Sequence, residues 1–177
     1  VNEFEIQNAL FRCLERKGYA LCCPNYTPAG WWECDVFGVT KSGAAVEFEI
    51  KLTRADFAQD GAKDKQVFPR PFGTPPRIEN KRELMRSGDK RAPARFFYVA
   101  PKGMIEPSEL PDCCGLMEFN ADGVIHFSVK KEAPKLHGER VSDAVMNHVR
   151  GVFYWRYWKI RANESCVNLE SQMPNDS

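Results

Sequence analysis

No apolar run in these 177 residues approaches the roughly 18 that a membrane span needs, and no secretory signal pattern stands at the start. The expectation is a cytoplasmic protein with no membrane partner. No C-x-x-C pair occurs among the 7 cysteines. The two adjacent pairs, Cys22-Cys23 and Cys113-Cys114, do not have zinc-site spacing, so buried free thiols in a reducing compartment are expected. The 3 histidines, His126, His137 and His148, share no ligand-like spacing either. No internal repeat is visible, and nothing marks a linker. One domain with a single core is expected over residues 1–161, followed by a polar tail, 162–177, that frays.

The net charge is only +1, but it is unevenly distributed. Residues 1–50 carry 4 basic and 7 acidic side chains, residues 51–95 carry 12 and 6, and residues 96–177 carry 9 and 11. A basic stretch beside an acidic one suits a polyanion brought up to a carboxylate cluster, though charge alone fits a solvated loop equally well.

Periodicity predicts a helix over 3–17, where Ile6, Leu10, Cys13 and Leu14 recur at helical spacing between an Asn2 cap and a Gly18 stop. A short strand is expected over 19–23. Val36–Val39 and Ala45–Ile50 read as two strands joined by Lys41-Ser42-Gly43, a three-residue loop with glycine in its left-handed last position. That loop sets a register in which Thr40 faces Ala44 and Asp35 faces Glu49. Alternation then sends Val46, Phe48 and Ile50 into a core and Glu47, Glu49 and Lys51 to the other face. Thr53 should cap a helix running through Asp56, Phe57 and Asp60. Most of the proline-rich region 61–95 reads as loop, with a short helix at Ile78–Arg86. A buried strand follows at Ala94–Val99, then a hairpin of Leu116–Phe119 and Val124–Val129, then an aromatic helix at Val141–Ile160. The sum is a mixed α/β arrangement.

Asp35 and Glu49, facing one another across a hairpin with Lys51 two residues along, make a plausible phosphodiesterase site. Mg²⁺ or Mn²⁺ prefers carboxylate oxygens; Asp35 and Glu49 can share one ion, and the backbone carbonyl of Ile50 can add a ligand. The Lys51 ammonium can orient the attacking water or neutralise phosphate charge.

The run Cys34-Asp35-Val36, followed by Val46-Glu47-Phe48-Glu49-Ile50-Lys51, resembles the PD-(D/E)XK nuclease signature. The extension Leu52-Thr53-Arg54-Ala55-Asp56-Phe57, with Asp60 and Lys63, is similar to the MmcB-like DNA-repair branch and related phage and bacterial proteins. Arg95–Pro101 and Cys114–Met117 are similar to that branch's next strand and hairpin, so the resemblance spans roughly residues 3–130. Cys34 stands where the family name calls for proline. The resemblance implies a restriction-endonuclease-like α-β-β-β-α-β core with an added C-terminal hairpin and helix. It implies a Mg²⁺- or Mn²⁺-dependent deoxyribonuclease acting in DNA repair or in phage or mobile-element DNA processing. The alternative is a catalytically silent DNA-binding or scaffold module of the same fold. Because duplex cutters of this kind often act as pairs, a homodimer is compatible with it. A first-helix glutamate often completes the metal site in this family. Glu3, on the face of Ile6, Leu10 and Leu14, is preferred to Glu5.

For DNA contact, Arg54 just past the active strand is the first candidate and Lys63 the second. Glu47 is read as an exposed strand residue rather than a further ligand. Asp56 and Asp60 are read as helix-surface ion-pair partners. Trp31 and Trp32 fit base stacking, core packing or a lid. The aromatics of residues 152–158 fit a core or a dimer face, and the proline-rich segment 68–76 fits an inserted DNA-contacting loop or a decorated surface.

Overall fold

The computed structural model describes residues 1–60, 64–67, 77–120 and 122–170. Helix α1 (Glu3–Arg16) starts where the sequence places it. The Asn2 side chain accepts from the Glu5 amide at 2.9 Å, and Glu5 accepts from the Asn2 amide at 2.9 Å, closing a capping box. Gly18, at φ +77°, lets the chain turn out of the helix. Ile6, Leu10 and Leu14 form the fully buried stripe of α1.

Three strands follow: β1 (Tyr19–Tyr26), β2 (Cys34–Thr40) and β3 (Ala45–Ile50), each antiparallel to the next. Strand β1 runs three residues beyond the expected 19–23 and takes in Pro24. It lies at the sheet edge, where a missing N–H is tolerated. Between β2 and β3 the three-residue loop forms as expected. The Thr40 amide donates to the Ala44 carbonyl at 3.0 Å, the Gly43 amide to the Thr40 carbonyl at 2.9 Å, and Gly43 sits at φ +84°. Val36 pairs with Phe48 and Phe37 with Glu47, so one step further Asp35 stands opposite Glu49.

After β3, Thr53 caps α2 (Arg54–Gln59) by accepting from the Asp56 amide. A second, two-stranded sheet then forms from β4 (Asp64–Val67), in a region read as loop, and β5 (Arg77–Asn80), which takes the start of the helix expected at Ile78–Arg86. Both strands have four residues and are largely polar, too short for a period-2 pattern to register. Because Asn80 caps the next helix through the Arg82 and Glu83 amides, α3 spans only Lys81–Arg86, three residues shorter than expected. Strand β6 (Arg95–Pro101) returns parallel to β3, and β7 (Gly115–Asn120) lies parallel to β6. Strand β8 (His126–Lys131) pairs antiparallel with β7. The order β1-β2-β3-β6-β7-β8 makes one mixed six-stranded sheet in an α/β chain.

One sheet face is apolar. Val36, Val46, Phe48, Ile50, Phe97, Val99, Met117 and Phe119 pack with the α1 stripe, and the Phe48 and Phe97 rings stack at 5.7 Å between centroids. The other face carries Glu47, Glu49, Phe96 and Tyr98 and is equally buried.

The chain divides into two compact units, Val1–Val141 and Ser142–Ser177. Helix α4 (Asp143–Glu170) is longer than expected and enters the stretch read as a fraying tail. Polar composition suggested fraying, but no glycine or proline interrupts residues 162–170, so the backbone has no reason to stop there.

Candidate active site

Strand alternation and the loop register together bring Asp35, Glu49 and Lys51 to one sheet face. Asp35 Oδ2 accepts from the Ile50 amide at 2.6 Å, which ties the β2 carboxylate to the end of β3. Glu49 is 3% exposed and Lys51 4%. The Lys51 ammonium donates to Glu49 Oε1 and Asp56 Oδ1, each at 3.2 Å, and forms an ion pair with Asp60 Oδ1 at 3.0 Å. Burial pulls the Lys51 pKa down, but Glu49 and Asp60 outweigh it and hold it above the usual lysine value.

A second lysine enters from α3. Lys81, also buried, donates to Glu47 Oε1 at 2.6 Å and Glu49 Oε2 at 3.3 Å, with its ammonium 5.0 Å from the centre of the Phe96 ring. Burial opposes its charge, and Glu47 and Glu49 more than restore it. Trp31 Nε1 donates to the other oxygen of Glu47 at 2.7 Å. Glu47 is thus not an exposed strand residue: it is fully buried, because Lys81 and Trp31 supply partners that its own strand does not reveal.

Asp60 also departs from expectation. Far from pairing on a helix surface, it is 4% exposed and bridges Lys51 and the Tyr98 hydroxyl, which donates to Asp60 Oδ2 at 2.5 Å. Asp56 does pair, with Lys51, and stays half exposed. At the α1 edge, Gln7 shares its two N–H donors among Glu3 Oε1 at 3.0 Å, Asn25 Oδ1 at 2.8 Å and the Asp35 carbonyl at 3.1 Å. Glu3 lies close enough for its charge to act on Asp35, whereas Glu5 is committed to the capping box.

Arg54 is exposed, and Glu109 grips its guanidinium at 2.6 and 2.8 Å while the Met104 carbonyl accepts at 2.8 Å. A phosphate at Arg54 would have to displace Glu109. Lys63 and the proline-rich segment 68–76 lie outside the described residues. Trp31 is core, 1% exposed; Trp32 is half-buried, meets Trp31 edge to face, and has the Lys65 ammonium 5.7 Å from its ring centre. His137 bonds to the Ala92 carbonyl. Cys13, Cys22, Cys23, Cys34, Cys113 and Cys114 are free thiols, as expected.

Comparison with known proteins adds little. No family model matches the chain, and no curated protein does. One solved structure, a protein of unknown function from Silicibacter pomeroyi, aligns over 96% of this chain and 92% of its own. Its TM-score is 0.49 and its identity 18%.

Lys81, Gln7 and Tyr98 escaped the sequence reading. Gln7 carried a usable signal, since it follows Glu3 by four residues and adjoins the apolar stripe. Lys81 and Tyr98 carried none, because each reaches the site from an element remote in sequence.

Charge decides whether this face suits a cation. Asp35, Glu47, Glu49, Asp56 and Asp60 are five carboxyl groups against two ammonium groups, Lys51 and Lys81, an excess of negative charge that suits a cation. Asp35 bears the strain of that excess: burial, then the Glu49 carboxylate, push its pKa up to about 7. The Asp35 and Glu49 oxygens and the Ile50 carbonyl are hard donors of the kind that Mg²⁺ and Mn²⁺ prefer. Among the described residues, no three His, Cys, Asp or Glu side chains gather into a metal-binding group, so the fit rests on this pair and the carbonyl.

Proposed function

We propose that the chain is a metal-dependent deoxyribonuclease of the PD-(D/E)XK type, hydrolysing phosphodiester bonds in DNA. The observation that carries this reading is the register that sets Asp35 opposite Glu49, with Lys51 on the same buried face. An antiparallel β1-β2-β3 meander followed by a helix and a parallel β6 also supports the α-β-β-β-α-β core of that family. Asp35, Glu49 and the Ile50 carbonyl would hold Mg²⁺ or Mn²⁺, which supplies electrostatic stabilisation of the phosphate and activation of water.

The remaining roles belong to the side chains. Lys51, paired with Glu49 and Asp60, places positive charge beside the scissile phosphate and can orient the attacking water. Asp60, held by Tyr98, fixes the Lys51 ammonium in place. Gln7 tethers Glu3 to the Asp35 backbone, keeping a supporting carboxylate at the edge of the site. Arg54 faces solvent and can take a flanking phosphate once Glu109 releases it. The setting is DNA repair or phage and mobile-element DNA processing, in the cytoplasm, with a homodimer compatible with duplex cutting.

One observation favours a second reading. Both oxygens of Glu49 are held by lysines, which is how a catalytically silent DNA-binding module could neutralise an idle carboxylate. Calorimetry separates the two. The nuclease reading expects Mn²⁺ to bind wild type and to lose at least tenfold in affinity in Asp35→Asn. No Mn²⁺ binding by wild type, with DNA binding intact, would favour the silent module.

A further inference from the structure

Residues 150–161 of α4 read Arg-Gly-Val-Phe-Tyr-Trp-Arg-Tyr-Trp-Lys-Ile-Arg: five aromatics, four cations and no acid in twelve residues. At about 100° per residue, the five rings and Ile160 sweep more than half of the helix circumference, while Arg156 and Lys159 fall on the remainder. Arg150 and Arg161 fall inside that arc, between Tyr157 and Tyr154, but rings spread so widely around a helix are ordinarily buried. Here Tyr154 is 58% exposed, Trp155 67%, Tyr157 55% and Trp158 50%. The rings touch one another only obliquely. Tyr154 meets Trp155 at 5.6 Å and 80°, and Tyr157 meets Trp158 at 5.6 Å and 73°. Neither pair stacks face on face, so planar surfaces remain for another flat group.

Charge and ring chemistry select the occupant. Three of the four cations are arginines, whose planar forks pair with phosphates and stack on aromatic faces. A second copy of the helix would bring four like charges against four. A helix lying in a lipid surface buries Trp and Phe on an uncharged face, and here Arg150 and Arg161 interrupt the arc of rings. Alternating exposed rings and cations, without acids, match the chemistry of unpaired bases on a phosphate backbone.

We infer that residues 150–161 of α4 form a docking platform for single-stranded DNA, with Trp155 and Trp158 stacking on bases and Lys159 contacting phosphate. The inference rests on DNA as the substrate class and gives α4 a strand-holding role distinct from cleavage.

The test is fluorescence anisotropy of a labelled oligothymidylate of about 20 nucleotides with the full chain in EDTA, where no cleavage intervenes. Trp155→Ala/Trp158→Ala should weaken binding about tenfold or more, and Trp155→Phe/Trp158→Phe should restore most of it. Lys159→Glu should weaken binding and flatten its salt dependence. Far-UV circular dichroism checks that each variant keeps its helix. Equal affinity of the alanine variant and wild type overturns the inference. So does wild type that ignores the oligonucleotide but floats with anionic phospholipid vesicles. A wild-type dimer that becomes monomeric in the alanine variant, with oligonucleotide affinity unchanged, also overturns it. The cleaving site is tested separately, by loss of metal-dependent cleavage in Glu49→Gln, which bears on that site alone.

Discussion

Replacing Lys81 with methionine isolates the least anticipated part of the buried network. Methionine keeps an unbranched stem and removes the charge. Glu47, fully buried, then loses the 2.6 Å ammonium contact while keeping the Trp31 indole at 2.7 Å, and Glu49 loses its 3.3 Å contact. Removing one member of a buried ion pair costs about 3–5 kcal/mol, because the partner charge stays behind in a medium that cannot solvate it. In a chain of this size, that corresponds to a melting temperature lower by about 6–20 °C. The loss should be larger at pH 8 than at pH 5, since an unpaired buried carboxylate relieves itself by taking a proton. Adding Glu47→Gln to the Lys81→Met background should recover part of the loss. Urea unfolding followed by tryptophan fluorescence measures wild type and both variants. A cost under about 1 kcal/mol for Lys81→Met, the range of exposed pairs, would refute the reasoning.

Three further outcomes follow from the same geometry. Lys51→Met should lower metal-dependent cleavage by more than about 100-fold while the far-UV spectrum is kept, and activity within about threefold of wild type contradicts its role. The carboxyl of Asp35 has its pKa raised from 3.8 to about 7, so its contribution to stability is full below about pH 4 and is lost as the pH climbs through 7. Metal-free protein should melt progressively lower across that window, and Mn²⁺ should raise the melting temperature more at pH 8 than at pH 5; equal shifts contradict the account. Gly43→Ala forces a side chain into φ +84° and should cost about 1–2 kcal/mol in urea unfolding, whereas no loss would mean that the β2–β3 loop is not fixed as described.

How far the sequence foretold this arrangement depended on distance along the chain. The opposition of Asp35 and Glu49 was legible because both strands and their loop lie within seventeen residues, and glycine in the left-handed loop position left one register. The cap at Asn2, the stop at Gly18 and the cap at Thr53 were legible for the same reason, each being a local hydrogen-bond pattern. Glu47 and Asp60 were misread because their partners are remote: Lys81 is 34 residues from Glu47, and Tyr98 is 38 from Asp60. A charged side chain with no partner in view reads as exposed, and only the tertiary fold supplies the partner. The β4–β5 pair was missed because four polar residues carry no periodicity. The extent of α4 was missed because polar composition was weighed above the absence of a helix breaker.

The central claim is metal-dependent cleavage at the Asp35–Glu49–Lys51 site, and a cleavage assay tests it most directly. Plasmid and linear single-stranded DNA are incubated with Mg²⁺, with Mn²⁺ or with EDTA, beside Glu49→Ala purified identically. The account predicts cleavage with either metal, none in EDTA and none by the mutant, with nicked or shortened products distinguishing internal from terminal attack. No cleavage of either substrate by wild type, or undiminished cleavage by Glu49→Ala, would contradict it.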